Sequence, residues 1–574
     1  MKSFNKYISL PVAALATAVS MSSCSDFLDK EPDMRVELKT TDQVAQLLTT
    51  AYPIGNYGWM CELSSDNLAD NQAPHASADA NSKGDVYYNL AAYDRGDDEA
   101  FRFEQVKSNT NTDSPSMVWQ TYYASIATAN QALEAIDKIV KADPSKETAQ
   151  LKAARAEALL VRAYSHFILV NIFSQAYKND EASKADVGIP YSTKPETTVK
   201  PHYDRGTVTD TYKKIQADLE AGLKDISDVN YDKPKWHFNI NAAHAFAARF
   251  YLYTRQYDKV IEQANAVLGT DDATTLSMLR DYTKFVGLST STDYANAWQT
   301  PDDKSNLMLL STKSRMWRRS LGNRYSLMGD KLKQTIWREG PTWRWTAIPV
   351  AMVTGMTFYS SNQDWGYTSA KIAERFEYSD KVAGIGYPHV IRCEFTTNEL
   401  LLERAEAKLL KANHDIDGCV NDLAMYVKNM QTFDTENQTH FSANQGMVDL
   451  TKDILVNYYS MATNPNCFEN WDFTQKMSND FVIPHELTPY MNCINDMRRI
   501  ETLWDGTRFF DLKRFGIEYS HIVGKDKVEY KLTWNDPRRA VEVAPSVEAA
   551  GLQTSRPLVN ATSQNSSIAK RTEK

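Results

Sequence analysis

The chain predicts a mainly α fold of stacked helical pairs, interrupted by a long loop-rich insertion. Three observations carry that expectation. Apolar residues recur at three- and four-residue steps over 117–140 and again over 147–176, the period of a helix with one buried face. A rhythm of helix, tight turn and second helix occupies 241–268 and returns at 399–426, the signature of tetratricopeptide-like repeats. Between them, 280–395 is aromatic, arginine-rich and punctuated by glycine, so no long period survives there.

Taken in order, residues 46–115 read as loops, broken by Gly55, Gly58, Pro74, Gly84 and Gly96. The first helix carries Trp119, Tyr122, Tyr123, Ile126, Ala129, Leu133, Ile136 and Val140 on one stripe. A turn at Asp143-Pro144 leads to an alanine-rich helix with Ala154, Ala158, Val161, Phe167, Leu169 and Ile172. The next helix, 207–226, starts behind a Thr cap, and 241–268 divides at Arg255-Gln256. Ile416-Asp417-Gly418-Cys419-Val420 occupies the place that Tyr257-Asp258-Lys259-Val260-Ile261 holds in the earlier pair. Such pairs cannot bury their apolar faces alone, so they stack. Residues 434–500 are mixed, and the last 25 are rich in Ser, Thr and Asn, as frayed termini are.

The N-terminus has the layout of an export signal. Lys2 and Lys6 precede an apolar and small-residue run from Tyr7 to Ser20, then Met21-Ser22-Ser23-Cys24. The run is shorter than the roughly 20 residues a membrane span needs. Cys24 after small residues resembles the lipobox of bacterial lipoproteins, where the Cys is acylated and becomes residue one of the mature chain. The expected division is a signal peptide at 1–23, a lipidated tether at 24–45 and a single domain at 46–574, its repeat helices near 117–268 and 399–426 and its C-terminal segment at 434–574.

Composition narrows the function. Of 574 residues 24% are charged, with net charge −9, which argues against a nucleic-acid partner. Five cysteines remain beyond Cys24, with no CxxC pair, so this is not a disulfide scaffold. Signatures of serine hydrolases, zinc proteases, phosphate-binding loops and dinucleotide folds are missing from the sequence. Asn413-x-Asp415-x-Asp417-Gly418 imitates a calcium loop, but its twelfth position is Ala424 instead of a bidentate Glu. Asp85, Asp94, Asp97, Asp98 and Glu99 read as a solvated acidic loop. Neither a metal nor a cofactor is expected.

Six blocks in order resemble the SusD/RagB family of outer-membrane nutrient-binding lipoproteins: Cys24-Ser25-Asp26-Phe27-Leu28-Asp29; Ala156 to Tyr164, running on to Phe167 and Phe173; Ile215 to Leu219; Asn398 to Ala407; Arg498 to Glu501 with Trp504 to Arg514; and Asp536-Pro537-Arg538-Arg539. Glu403 departs from the pattern, where the family often has an aromatic or aliphatic residue. The resemblance implies about four tetratricopeptide-like pairs whose loops form the ligand site. It also implies a TonB-dependent outer-membrane transporter of the SusC type as partner, and an oligosaccharide, sometimes a peptide, as ligand.

Sugars offer an apolar C–H face and a hydroxyl rim, which flat aromatics and polar side chains complement. Each single aromatic reads first as core; the segment as a whole reads as a binding surface. The ligand-binding candidates are Tyr57, Trp59 and Asn67 from the N-terminal loops, and Trp298, Trp317, Trp343 and Trp365 from the insertion. The arginines at 315, 318, 319, 324, 338 and 344 read as intramolecular salt bridges ahead of a site for carboxylates. Arg508 and Asp511, three apart, are expected to pair on a helix. The favoured function is glycan capture without catalysis. The alternatives are a peptide-binding lid and, further behind, a lipid-anchored glycoside hydrolase.

Overall fold

The computed structural model describes residues 38–76, 85–86, 91–107, 112–198, 202–285, 288–321, 323–336, 338, 340–342, 355–359, 365–431, 449–460, 467–473, 477–556 and 568–569. The signal, Cys24 and most of the tether lie outside them, as do Trp343, Arg344 and most of the C-terminal tail.

Helices dominate, and their starts follow from capping chemistry. In α1 (Thr41–Leu48) Thr40 and Gln43 form a capping box. After α2 (Gly58–Leu63) and α3 (Arg95–Phe101), the long α4 (Pro115–Ala142) starts with a Ser114 cap and Pro115 in the first turn. Asp143 ends it, a 3-10 turn at Pro144–Lys146 follows, and Thr148 caps α5 (Ala149–Phe173). The turn therefore falls at Asp143-Pro144, as the sequence predicts. Helix α5 is long and apolar enough to cross a membrane, yet 94% of its apolar window is buried in protein; a helix apolar all round belongs in a core. It lies between α4 and α6 (Val208–Asp225), the latter opened by a Thr207–Asp210 capping box.

The second stack begins with α7 (Ile240–Tyr253) and α8 (Tyr257–Leu268), separated at Arg255, whose φ is +60°. Helix α8 packs on α9 (Thr397–Leu410), α9 on α10 (Ile416–Gln431), and α9 also on α11 (Thr488–Glu501). A short α12 (Thr507–Arg514) returns against α2.

The region expected to be loops contains sheet as well. Within the N-terminal segment lies β1 (Ala69–Asp70); the insertion supplies β2 (Asn306–Lys313), β3 (Tyr325–Met328), β4 (Gly355–Tyr359), β5 (Trp365–Ser369), β6 (Arg375–Asp380) and β7 (Ile385–Thr396). One antiparallel sheet has the order β1-β3-β5-β4 and another β2-β7-β6. The pairing of Asp70 with Tyr325 joins the N-terminal segment to the insertion. Strand β7 runs directly into α9, with Thr396 as the helix cap, so the sheet is welded to the helical stack. Strands β8 (Tyr519–Val523) and β9 (Val528–Leu532) form a C-terminal hairpin. These strands are short and glycine-bounded, which is why periodicity does not reveal them.

Candidate ligand-binding surface

The N-terminal segment and the insertion meet through buried charge. The Trp59 indole N–H donates to Asp97 Oδ1 at 2.8 Å, and Arg319 Nη1 donates to the same oxygen at 2.9 Å. Arg319 also pairs with Asp94, while Arg324 pairs with Asp70 and Asp98. Asp94, Asp97, Asp98 and Glu99 are therefore ion-pair partners and not the solvated loop that composition suggests. Burial pushes the Asp97 carboxyl up to about 7, against the pull of Arg319. The insertion's arginines are committed likewise: Arg318 to Glu374 and Arg338 to Asp496.

Most of the candidates read from sequence lie inside. Tyr57 stacks on Phe510, donates its hydroxyl to Glu394 Oε1 at 2.9 Å, and has the Arg392 guanidinium 4.1 Å from its ring centre. Trp59 stacks on Trp504 with 11° between the rings. Trp504 is held at φ +72°, a backbone region that bulky residues rarely occupy. Asn67 links Glu62, to which it donates at 2.8 Å, and Arg499, from which it accepts at 2.8 Å. Trp298 ends the helix Ser291–Trp298, with Arg280 3.7 Å from its ring centre. All four side chains are buried, so as placed none offers an open face to a sugar. Their partners decided this: each aromatic meets a guanidinium or another ring, and that pairing cannot be seen in sequence.

Trp298 and Trp504 face a narrow space together with Lys371, Arg392, Glu501 and Asp505. It admits only about one water molecule and cannot take a sugar ring.

Trp317 differs from the others. It is half-buried on the short helix Met316–Ser320. Its neighbour Arg319 lies 4.9 Å from the ring centre of Tyr93, which is 38% exposed. Its other neighbour, Arg318, pairs with Glu374 and so sets the helix beside the start of β6. Strand β6 then presents Phe376 and Tyr378, 48% and 51% exposed, with ring centres 4.9 Å apart at 75°. Opposite them Gly386 is obligatory: a Cβ there would come within 2.0 Å of the Glu377 carbonyl oxygen and 2.7 Å of the Phe376 ring. On β7, Tyr387 carries the Lys313 ammonium 4.3 Å from its ring centre. Contacts of Arg319 and Arg318 thus tie the short helix that carries Trp317 to Tyr93 and to the residue preceding β6. Of the sequence candidates, Trp317 lies on the helix next to this surface; Trp365 opens β5, with only its backbone described, and Trp343 lies outside the described residues. The missed signal was the Phe376-x-Tyr378 alternation ahead of the Gly384-x-Gly386 turn, a hairpin pattern with two rings on one face.

The C-terminal block corrects another expectation. Arg508 does not pair with Asp511. It reaches Asp66 at 2.8 Å and Glu469 at 3.2 Å, while Asp511 takes Arg498 at 2.9 Å and Arg514 at 2.7 Å. Burial opposes the charge on Asp66, but Arg499 and Arg508 hold its carboxyl far below the usual range. Among the described residues no three His, Cys, Asp or Glu side chains gather as a metal site.

Residues 26–252 match a SusD-like family model described as "Starch-binding associating with outer membrane". The fold is SusD-like. Solved SusD relatives share the fold over nearly its full length. A SusD superfamily protein of Bacteroides thetaiotaomicron VPI-5482 is 17% identical, covering 90% of this chain and 99% of its own, with a TM-score of 0.53. A SusD superfamily protein of Bacteroides vulgatus ATCC 8482 is 16% identical, covering 91% and 99%, also at 0.53. A SusD-like carbohydrate binding protein of the same strain is 15% identical, covering 91% and 99%, at 0.51. No curated protein matches the chain. As a SusD-type fold, the molecule is mainly α, and its sheet-bearing insertion carries the exposed Phe376 and Tyr378.

Proposed function

We propose that this chain is a surface lipoprotein that captures oligosaccharides and delivers them to a SusC-like, TonB-dependent outer-membrane transporter. Cys24 would carry the lipid and residues 24–45 would be the tether. The observation that carries the binding role is the exposed Tyr93, Phe376 and Tyr378, with the half-buried Trp317 near them, on a SusD-like fold. The matching family's starch-binding description and the carbohydrate-binding description of one structural relative agree with it. Flat rings would hold pyranose faces, and polar side chains beside them would meet the hydroxyls. Four of the six arginines, Arg318, Arg319, Arg324 and Arg338, are each engaged by a carboxylate, which favours a glycan over a peptide ligand.

The test is calorimetric titration of the mature Cys24→Ala chain against plant, host and microbial polysaccharides and mixed peptides, with chromatography of the mixtures. Saturable heat with one glycan class and unchanged glycan is expected. Heat with peptides alone, or the appearance of shortened glycans, would overturn the reading.

A further inference from the structure

Glu403, the residue that departs from the family pattern, sits at a buried polar node between three helices. Four side-chain atoms there have no hydrogen-bond partner: Arg249 Nε from α7, Glu399 Oε1 and Glu403 Oε1 from α9, and Arg498 Nη1 from α11. Their spacings are too long for direct bonds. Arg249 Nε lies 3.5 Å from Glu403 Oε1, Arg498 Nη1 lies 4.0 Å from the same oxygen, and Arg498 Nη2 lies 3.7 Å from Glu399 Oε1. Neither guanidinium is free to close the gaps. Arg249 is fixed by Glu394 Oε1 at 3.1 Å, the Glu394 carbonyl at 2.9 Å and Glu399 Oε2 at 2.8 Å. Arg498 is fixed by Asp511 at 2.9 and 3.3 Å. Glu399 and Glu403 are one helical turn apart on a packed helix.

We propose that this node binds one structural water molecule. Two of the four atoms are N–H donors and two are carboxyl oxygens, the complement of a water that accepts two hydrogen bonds and donates two. Buried waters occur where polar groups at such spacings lack other partners, and they make about three bonds each. The water would tie α7, α9 and α11 together at the point where Arg249 also supports Glu394, the acceptor of the Tyr57 hydroxyl. An aliphatic residue at 403 would remove one acceptor and fill the water's place, so the site is a property of this chain's Glu403. The competing arrangement is dry, with a proton shared directly between Glu399 and Glu403.

A crystal structure of the mature chain at high resolution tests this directly. The expected result is one solvent peak within about 3.2 Å of all four atoms. Direct contact of Glu399 Oε1 with Glu403 Oε1, with no peak between the arginines, would overturn it. Urea unfolding of two variants gives an independent reading. Glu403→Gln keeps the shape and an acceptor oxygen and should unfold near the parent midpoint, whereas Glu403→Met strands both arginine N–H groups and should unfold at lower urea. A Glu403→Met midpoint equal to or above the parent's would contradict the water site.

Discussion

Asp97 shows how much one buried carboxyl does in this molecule. It takes the Trp59 indole N–H and the Arg319 guanidinium on one oxygen, so it couples the N-terminal segment to the insertion. Its folded pKa, about 7, lies above the ordinary carboxylate value because burial disfavours the charge. A carboxyl raised on folding binds more protons in the native state, so its contribution is largest at low pH and is lost as pH rises from about 4 toward 7. Asp97→Asn should remove that falling component; stability curves of parent and variant that keep the same slope across this window would contradict the assignment. Arg508 makes the complementary case. It is buried against Asp66 and Glu469, and Arg508→Ala leaves both carboxylates short of a partner. Breaking a buried pair costs about 3–5 kcal/mol, measurable by denaturant unfolding; a loss below about 1 kcal/mol, typical of a surface pair, would show the cluster to be solvated. From sequence the charged residues of the Arg498–Arg514 block were readable as structural, but their partners were not. Asp66 and Glu469 are far from Arg508 in the chain, and helix spacing pointed instead to the neighbour three residues away.

The helices were legible as elements because each carries its own punctuation. Thr207, Thr148, Ser114 and Asn239 cap helices at their observed starts, and Arg255 marks the turn between α7 and α8. Close packing of α5 on α6 depends on Gly222. A Cβ there would lie 2.8 Å from Leu160 Cγ and 3.1 Å from the Ala156 carbonyl oxygen. Gly222→Ala should therefore lower stability by about 1–3 kcal/mol, although alanine is the better helix former by about 1 kcal/mol. A thermal midpoint at or above the parent's would mean that the two helices separate without cost. The insertion's strands were not legible in the same way. Each is four to twelve residues long, and β1, β3 and β5 pair across large sequence separations. Their aromatic content suggested a surface, yet Tyr367 and Tyr325 are buried between layers while Phe376 and Tyr378 stand outside. Which side a ring takes depends on strand register, which composition does not carry.

For the whole molecule, the family blocks and the helical rhythm together gave the mainly α, SusD-type fold, with the helical stack as scaffold and the insertion as its decorated edge. The candidate site was legible only as a region. Trp317 is half-buried beside the exposed rings, whereas Tyr57, Trp59, Asn67 and Trp298 lie in the interior. The central claim is thus that sugars are held by the outer rings and that the inner aromatics act through the scaffold. The measurement that tests it most directly is glycan affinity, by calorimetry with the glycan the parent binds, for the Phe376→Ala/Tyr378→Ala double variant and for Trp317→Ala. Each should keep the parent's far-ultraviolet circular dichroism and bind at least about tenfold more weakly, equivalent to roughly 1.4 kcal/mol. Parent-like affinity in both variants, with the fold intact, would contradict the account.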